Sequence, residues 1–164
     1  MLQRQKTKKM TTEESSSEIP IPQSAVIVFD LDDTLSPERN FVLSAYRAMA
    51  KSLGKPELAE QMTAWFDAGE KDVIGKALAE AGTGDKTELL RLYREHEPDL
   101  PLAPENLQLV KSLKADGHPL GLITDGRSLT QRNKIRALGL DSLIDEIVIS
   151  EEFGSEKPDP RNFQ

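Results

Sequence analysis

With 164 residues, the chain is long enough for one ordinary domain plus an insertion and too short for two large domains. Its 21 basic and 28 acidic residues leave a net charge of -7, which argues against a protein that holds nucleic acid by general attraction to phosphate. Four of the basic residues, Arg4, Lys6, Lys8 and Lys9, crowd into the first nine positions. Residues 10–164 therefore stand at -11 and need a local device to hold any anionic ligand.

The absence of cysteine excludes a disulfide framework, a thiolate metal site and a cysteine nucleophile, and it fits a reducing compartment. No apolar run approaches the roughly eighteen residues of a membrane span, and the basic start lacks the apolar segment of a signal peptide. A soluble, cytoplasmic protein is expected, with neither membrane nor nucleic acid as partner.

Residues 1–24 lack periodicity and pass from basic to acidic and serine-rich to proline-spaced, a composition that cannot bury enough surface to order itself. They read as a flexible tail, whose basic part is either a targeting or nucleic-acid arm or a vector-derived start before Met10. Order begins at AVIVF, residues 25–29, an apolar β-branched run of the kind found in a central parallel strand covered on both faces. Ser36 and Pro37 then read as a helix N-cap and first helical residue, and Val42, Ala45, Tyr46, Met49 and Leu53 follow at helical spacing up to Gly54. Three more amphipathic helices are predicted from Leu58, Met62, Trp65 and Phe66, from Val73, Ile74, Ala77, Leu78 and Ala81, and from Leu89, Leu90 and Tyr93.

Prolines at 98, 101 and 104 stiffen a connection that suits a boundary between two packing units. Beyond it, Leu107, Val110 and Leu113 mark a helix ending at Gly117. PLGLIT (119–124) reads as a second buried strand, residues 129–138 as a helix closed by Gly139, and EIVIS (146–150) as a third strand. Strands alternating with helices predict an α/β fold with a parallel, Rossmann-like sheet of three strands, whose ligands sit at the carboxyl ends of the strands. The expected division is a tail over 1–24, an α/β core from 25–36 and 101–164, and an all-helical insertion over 37–100.

The polar residues after each strand carry the chemistry. Asp30, Asp32 and Asp33 follow the first strand. By themselves they read as a solvated acidic turn, since aspartate favours turns and caps. At a strand end, however, one carboxylate can act as nucleophile while another, two residues on, faces the same side as acid and base. Clustered carboxylates repel, so the arrangement calls for a divalent cation, and oxygen ligands suit Mg²⁺. After the second strand, Thr124, Asp125, Gly126 and Arg127 form either a common turn or a hydroxyl with open backbone N–H groups for a phosphoryl oxygen. Lys157, in the loop after the third strand, is either a solvated lysine or the fixed cation that offsets charge in phosphoryl transfer.

VFDLDDTL, LITDGR and EKPDP, in this order and each just after a strand, resemble the haloacid dehalogenase superfamily over residues 25–164. The helical block resembles that superfamily's cap, inserted between the first and second motifs. The resemblance implies that Asp30 is the nucleophile that forms an aspartyl-phosphate and that Asp32 protonates the leaving alcohol and then activates water. It also implies that Thr124 binds the phosphoryl group with the amides of Asp125 and Gly126, and that Lys157 holds nucleophile and phosphate together. Mg²⁺ would be ligated by the Asp30 carboxylate and the Asp32 main-chain oxygen. An aspartate at 32 resembles the phosphatases and phosphomutases rather than the carbon–halogen hydrolases, which have no leaving alcohol to protonate. A receiver domain fits poorly, because its acceptor aspartate follows a later strand.

A fourth motif of the superfamily, an acidic pair that completes the Mg²⁺ shell, has no counterpart in this sequence, and PDPRNFQ reads as the first turn of a helix. Without the helical insertion, residues 25–35 and 101–164 amount to 75, few for such a core. An incomplete sheet with AVIVF as an exposed edge is expected, completed by a longer product, a second chain or a swapped homodimer. The expected activity is Mg²⁺-dependent hydrolysis of a small phosphorylated metabolite in the cleft between core and cap. A sugar phosphomutase, and a non-catalytic subunit that binds a partner through the open edge, are the alternatives. Tyr46, Trp65 and Phe66 are read as core rather than cleft residues.

Overall fold

The computed structural model describes residues 21, 22 and 24–163. Most of the tail expected over residues 1–24 lies outside them. Three parallel strands, β1 (Ile27–Phe29), β2 (Leu120–Thr124) and β3 (Glu146–Ile149), form a sheet in the order β1-β2-β3. Their register aligns Phe29 with Leu122 and Leu122 with Ile147, so these three side chains leave the same face of the pleat. Helices α5 (Pro104–Ala115) and α6 (Ser128–Ala137) carry the crossovers. Their Val110, Leu113 and Ile135 join Leu120, Leu122 and Ile149 in one buried cluster.

The other face differs from expectation. AVIVF is not covered on both sides: Val26 is 62% and Val28 47% exposed. The strand is three residues long and pairs only with β2, so among the described residues it is the sheet edge that the incomplete sheet predicts. Both crossover helices contribute to the Leu122 face, and among the described residues Val26 and Val28 on the opposite face stay exposed although Ile123 on that face is buried. The third strand ends one residue earlier than its pattern predicts: Ser150 opens the short helix α7 (Ser150–Phe153), and residues 160–163 make a 3-10 turn.

The insertion is helical throughout, as its spacing predicts: α1 (Glu38–Ser52), α2 (Leu58–Asp67), α3 (Val73–Ala81) and α4 (Lys86–Glu95). Asp72 and Asp85 cap α3 and α4 by accepting the N–H groups of Gly75 and Glu88 at 3.1 and 2.9 Å. Tyr46, Met49, Met62 and Ala77 form a second buried cluster, so Tyr46 is a core residue, and Trp65 and Phe66 pack half-buried against that cluster. The start of α1 corrects one reading. Ser36 does not cap the helix and Pro37 precedes it; the Asp33 side chain reaches forward and accepts the N–H of Glu38 at 2.9 Å. An earlier acidic residue therefore takes the capping role because the loop folds back over the helix end.

One buried polar network joins the helical block to the segment that returns to the sheet. The His96 ring, 7% exposed, faces the Tyr93 carbonyl through Nδ1 at 3.1 Å and the Ser44 hydroxyl through Nε2 at 3.2 Å. A carbonyl only accepts, so Nδ1 carries the proton and Nε2 accepts from Ser44 Oγ, which itself accepts the N–H of Asp99 at 3.0 Å. Burial holds the imidazole below its usual pKa of 6.5.

Two measurements follow. The unfolded chain takes up a proton on His96 below about pH 6.5 that the folded chain resists, so stability is fully present above that pH and falls as the pH drops. Urea titrations at pH 5 and 8 should therefore show a loss at low pH that is smaller in His96→Gln. Leu122→Ala should cost roughly 2–5 kcal/mol as a buried-core truncation. Val28→Ala, on the open face, should stay within about 0.5 kcal/mol, and equal costs would mean that both faces are packed.

Candidate active site

The loop after β1 is a tight turn wound on one carbonyl. Leu31 O accepts the N–H groups of Leu35 and Ser36 at 3.0 and 3.1 Å, and Leu31 and Leu35 are buried beneath. Asp33 takes a left-handed conformation at φ 56°, which aspartate tolerates better than most residues. From α5, the Asn106 amide donates to Leu35 O at 2.9 Å and ties the loop to the core. The winding leaves Asp30 partly open, its carboxylate 42% exposed, and Asp32 less so at 26%.

Each carboxylate has its own cation. Lys157 Nζ lies 2.7 Å from Asp30 Oδ2, while Asp30 Oδ1 accepts the N–H of Leu31 at 2.7 Å. Lys134 Nζ, from α6, donates to both oxygens of Asp32 at 2.8 and 2.9 Å. The residue expected as nucleophile is thus paired with the lysine expected beside it, although 127 positions of chain separate them.

The other two loops brace one another. Asp125 Oδ1 accepts the N–H of Lys157 at 3.1 Å, so the carboxylate in the expected phosphate loop holds the lysine loop. Thr124 is 1% exposed, and its hydroxyl oxygen accepts from Gln131 Nε2 at 2.6 Å, which leaves the hydroxyl hydrogen to donate. Gly126 has φ 135°, a conformation that only glycine adopts readily. Its N–H, read as a phosphoryl donor, instead donates to Ser150 Oγ at 2.9 Å. The sheet places Ser150 beside Gly126 because β3 runs parallel to β2 and ends next to it.

Asp30, Asp32, Thr124, Asp125, Gly126 and Lys157 therefore gather at the carboxyl ends of adjacent strands. Beside Asp32 a cleft of about 340 Å³ opens between sheet loops and helical block, with Glu38, Tyr93, Arg94, Arg127 and Lys134 on its walls. Burial pushes the Tyr93 hydroxyl up to about 12, so it stays protonated in that wall. Gln131, Lys134 and Ser150 were not singled out by the motifs. For Gln131 and Lys134 the one sequence signal is positional: Gln131 lies four residues before Ile135 and Lys134 four before Leu138, on the inward face of α6.

A family model for haloacid dehalogenase-like hydrolases matches residues 27–164. The chain belongs to the haloacid dehalogenase-like hydrolases. Among curated members it is 33% identical over 150 residues to the glyceraldehyde 3-phosphate phosphatase of Methanocaldococcus jannaschii, covering 80% of this chain and 64% of that one. It is 32% identical over 123 residues to the phosphoserine phosphatase of Thermus thermophilus, covering 74% and 49%. The chain thus spans at most about two thirds of the length of these relatives. The same fold occurs in the magnesium-bound hydrolase YfnB of Bacillus subtilis, with a TM-score of 0.63 and 24% identity over 85% of this chain and 69% of that one. No described helix is long and apolar enough to cross a membrane.

Proposed function

We propose that the chain carries the nucleophile, acid–base and phosphate-binding parts of a Mg²⁺-dependent phosphatase for a small phosphomonoester. The observation that carries this reading is the contact of Lys157 with Asp30 at 2.7 Å, which fixes a partly open carboxylate at a strand end beside a permanent cation. Curated members of the family that this chain resembles are named as phosphatases of glyceraldehyde 3-phosphate and phosphoserine.

In the first half-reaction a carboxylate oxygen of Asp30 attacks phosphorus, the bond to the leaving oxygen breaks, and Asp32 gives that oxygen a proton. In the second, Asp32 takes a proton from water as the water attacks phosphorus, and the carboxylate of Asp30 is released with phosphate. Thr124 donates its hydroxyl to a phosphoryl oxygen, and Lys157 offsets the negative charge gathered on Asp30 and phosphate. Arg94 and Arg127, both lining the cleft, suit the remainder of an anionic metabolite.

The Asp30 carboxylate and the Asp32 main-chain oxygen would hold Mg²⁺, being hard oxygens of the kind this ion takes with water and substrate phosphate. When bound, the ion neutralises phosphoryl charge. Among the described residues no group of three acidic, histidine or cysteine side chains is placed to hold a metal ion. Among the described residues Val28 is exposed and β1 pairs only with β2, an edge that suits a further strand from a swapped copy or a second chain.

The test is a panel of phosphomonoesters assayed with and without Mg²⁺. Phosphate release should require the ion, and Asp30→Asn should lower kcat by roughly 10⁴-fold or more. Turnover that is indifferent to Mg²⁺ and to this substitution would remove Asp30 from the chemistry. Dependence on a bisphosphate activator with little phosphate release would favour a phosphomutase.

A further inference from the structure

Lys134 is the one lysine among the described residues that is fully buried, 4% exposed, and it lies in none of the three motifs. Its ammonium donates to both oxygens of Asp32, and it sits 4.5 Å from the centre of the Phe41 ring, on the negative face of the π-system. Carboxylate and ring together replace its water. Three residues earlier, and so on the same face of α6, Gln131 is 2% exposed. The two N–H groups of its amide are shared among Asp32 Oδ2 at 3.0 Å, Thr124 Oγ1 at 2.6 Å and Asp125 O at 3.0 Å.

This arrangement does little that an apolar side chain would not do for stability. A buried ion pair gains its Coulomb energy against a large desolvation cost, and packed hydrophobic residues of similar volume commonly replace such pairs without loss. What leucine or methionine cannot supply is direction. An aspartate has two free side-chain torsions, and at the lip of a cleft its carboxylate would otherwise turn toward solvent or toward the other charges of the loop. Two donors from one helix turn, one of them charged and bidentate, leave a single orientation. The helix is itself held: Thr130 Oγ1 donates to Arg94 O at 2.9 Å, and Asn133 Nδ2 donates to the carbonyls of Glu95 and His96 at 3.1 and 3.2 Å.

We propose that Lys134, assisted by Gln131, is a positioning residue that aims the Asp32 carboxylate into the cleft, where it meets the leaving-group oxygen. This rests on the phosphatase reading above and adds to it a residue outside the motifs. Lys134 itself transfers no proton.

The experiment compares wild type with Lys134→Met, which keeps the stem against Phe41, and with Lys134→Arg. Two substrates are used: an alkyl phosphomonoester, whose leaving oxygen needs a proton, and p-nitrophenyl phosphate, whose leaving group does not. Because kcat/KM reports the first half-reaction, Lys134→Met should lower it roughly 10²-fold or more for the alkyl ester and less than about threefold for the aryl ester. Lys134→Arg should recover part of the loss. An equal fall for both esters would make the role merely structural and overturn the proposal.

A second readout needs no turnover. In ¹⁵N-detected NMR the Lys134 ammonium of wild type should give a signal protected from solvent exchange, and Asp32→Asn should remove it. Absence of that signal from wild type overturns the clamp whatever the activity. If wild type hydrolyses neither ester, the phosphatase reading falls; the clamp is then decided by this signal alone, and its role in catalysis falls with that reading.

Discussion

Carboxylates that leave one strand end two residues apart repel, and the arrangement of the rest of the molecule follows from how that repulsion is met. Asp30 is held by Lys157 and Asp32 by Lys134, one ammonium to each carboxylate. The two cations come from different parts of the chain, one from the loop after β3 and one from α6, so the loop holds its shape only when both crossovers are in place. A chain whose net charge is -7 has no general positive field to do this. The stabilisation is local, short-range and shielded from salt where the lysine is buried.

The parallel sheet makes those local contacts possible. Successive strands pointing the same way put all three loops at one end, where Asp125 accepts the N–H of Lys157 and Ser150 accepts that of Gly126. These bonds satisfy backbone donors that loops at a strand end would otherwise turn to water, and they fix the loops relative to one another. The cost of the design is on the other side of the sheet, where Val26 and Val28 stay exposed because both crossover helices pack on the Leu122 face.

Helix α6 does more than cross over. Its outer polar groups hold the last carbonyls of α4, and its inner ones, Gln131 and Lys134, reach Asp32 and Thr124. The helical block and the acid–base residue are therefore referred to the same rigid element. The His96, Ser44 and Asp99 network performs a similar service at the segment leading back to the sheet, with a neutral imidazole where burial disfavours the charged one.

The order of strands and helices, the helical insertion and the placement of Asp30, Thr124 and Lys157 after strands were all readable from periodicity and motif order, because both depend on neighbours close in sequence. Asp33 as the cap of α1, in place of Ser36, was not, since the choice turned on how the loop folded back. Nor was the partner of Asp32. Composition makes Lys134 look like any solvated lysine, and only the packing of α6 against the first loop and Phe41 removes its water and gives it a carboxylate 102 residues away. The exposure of Val28 had the same origin. A run of apolar residues specifies a strand, but which of its faces is covered is decided by where the crossover helices land.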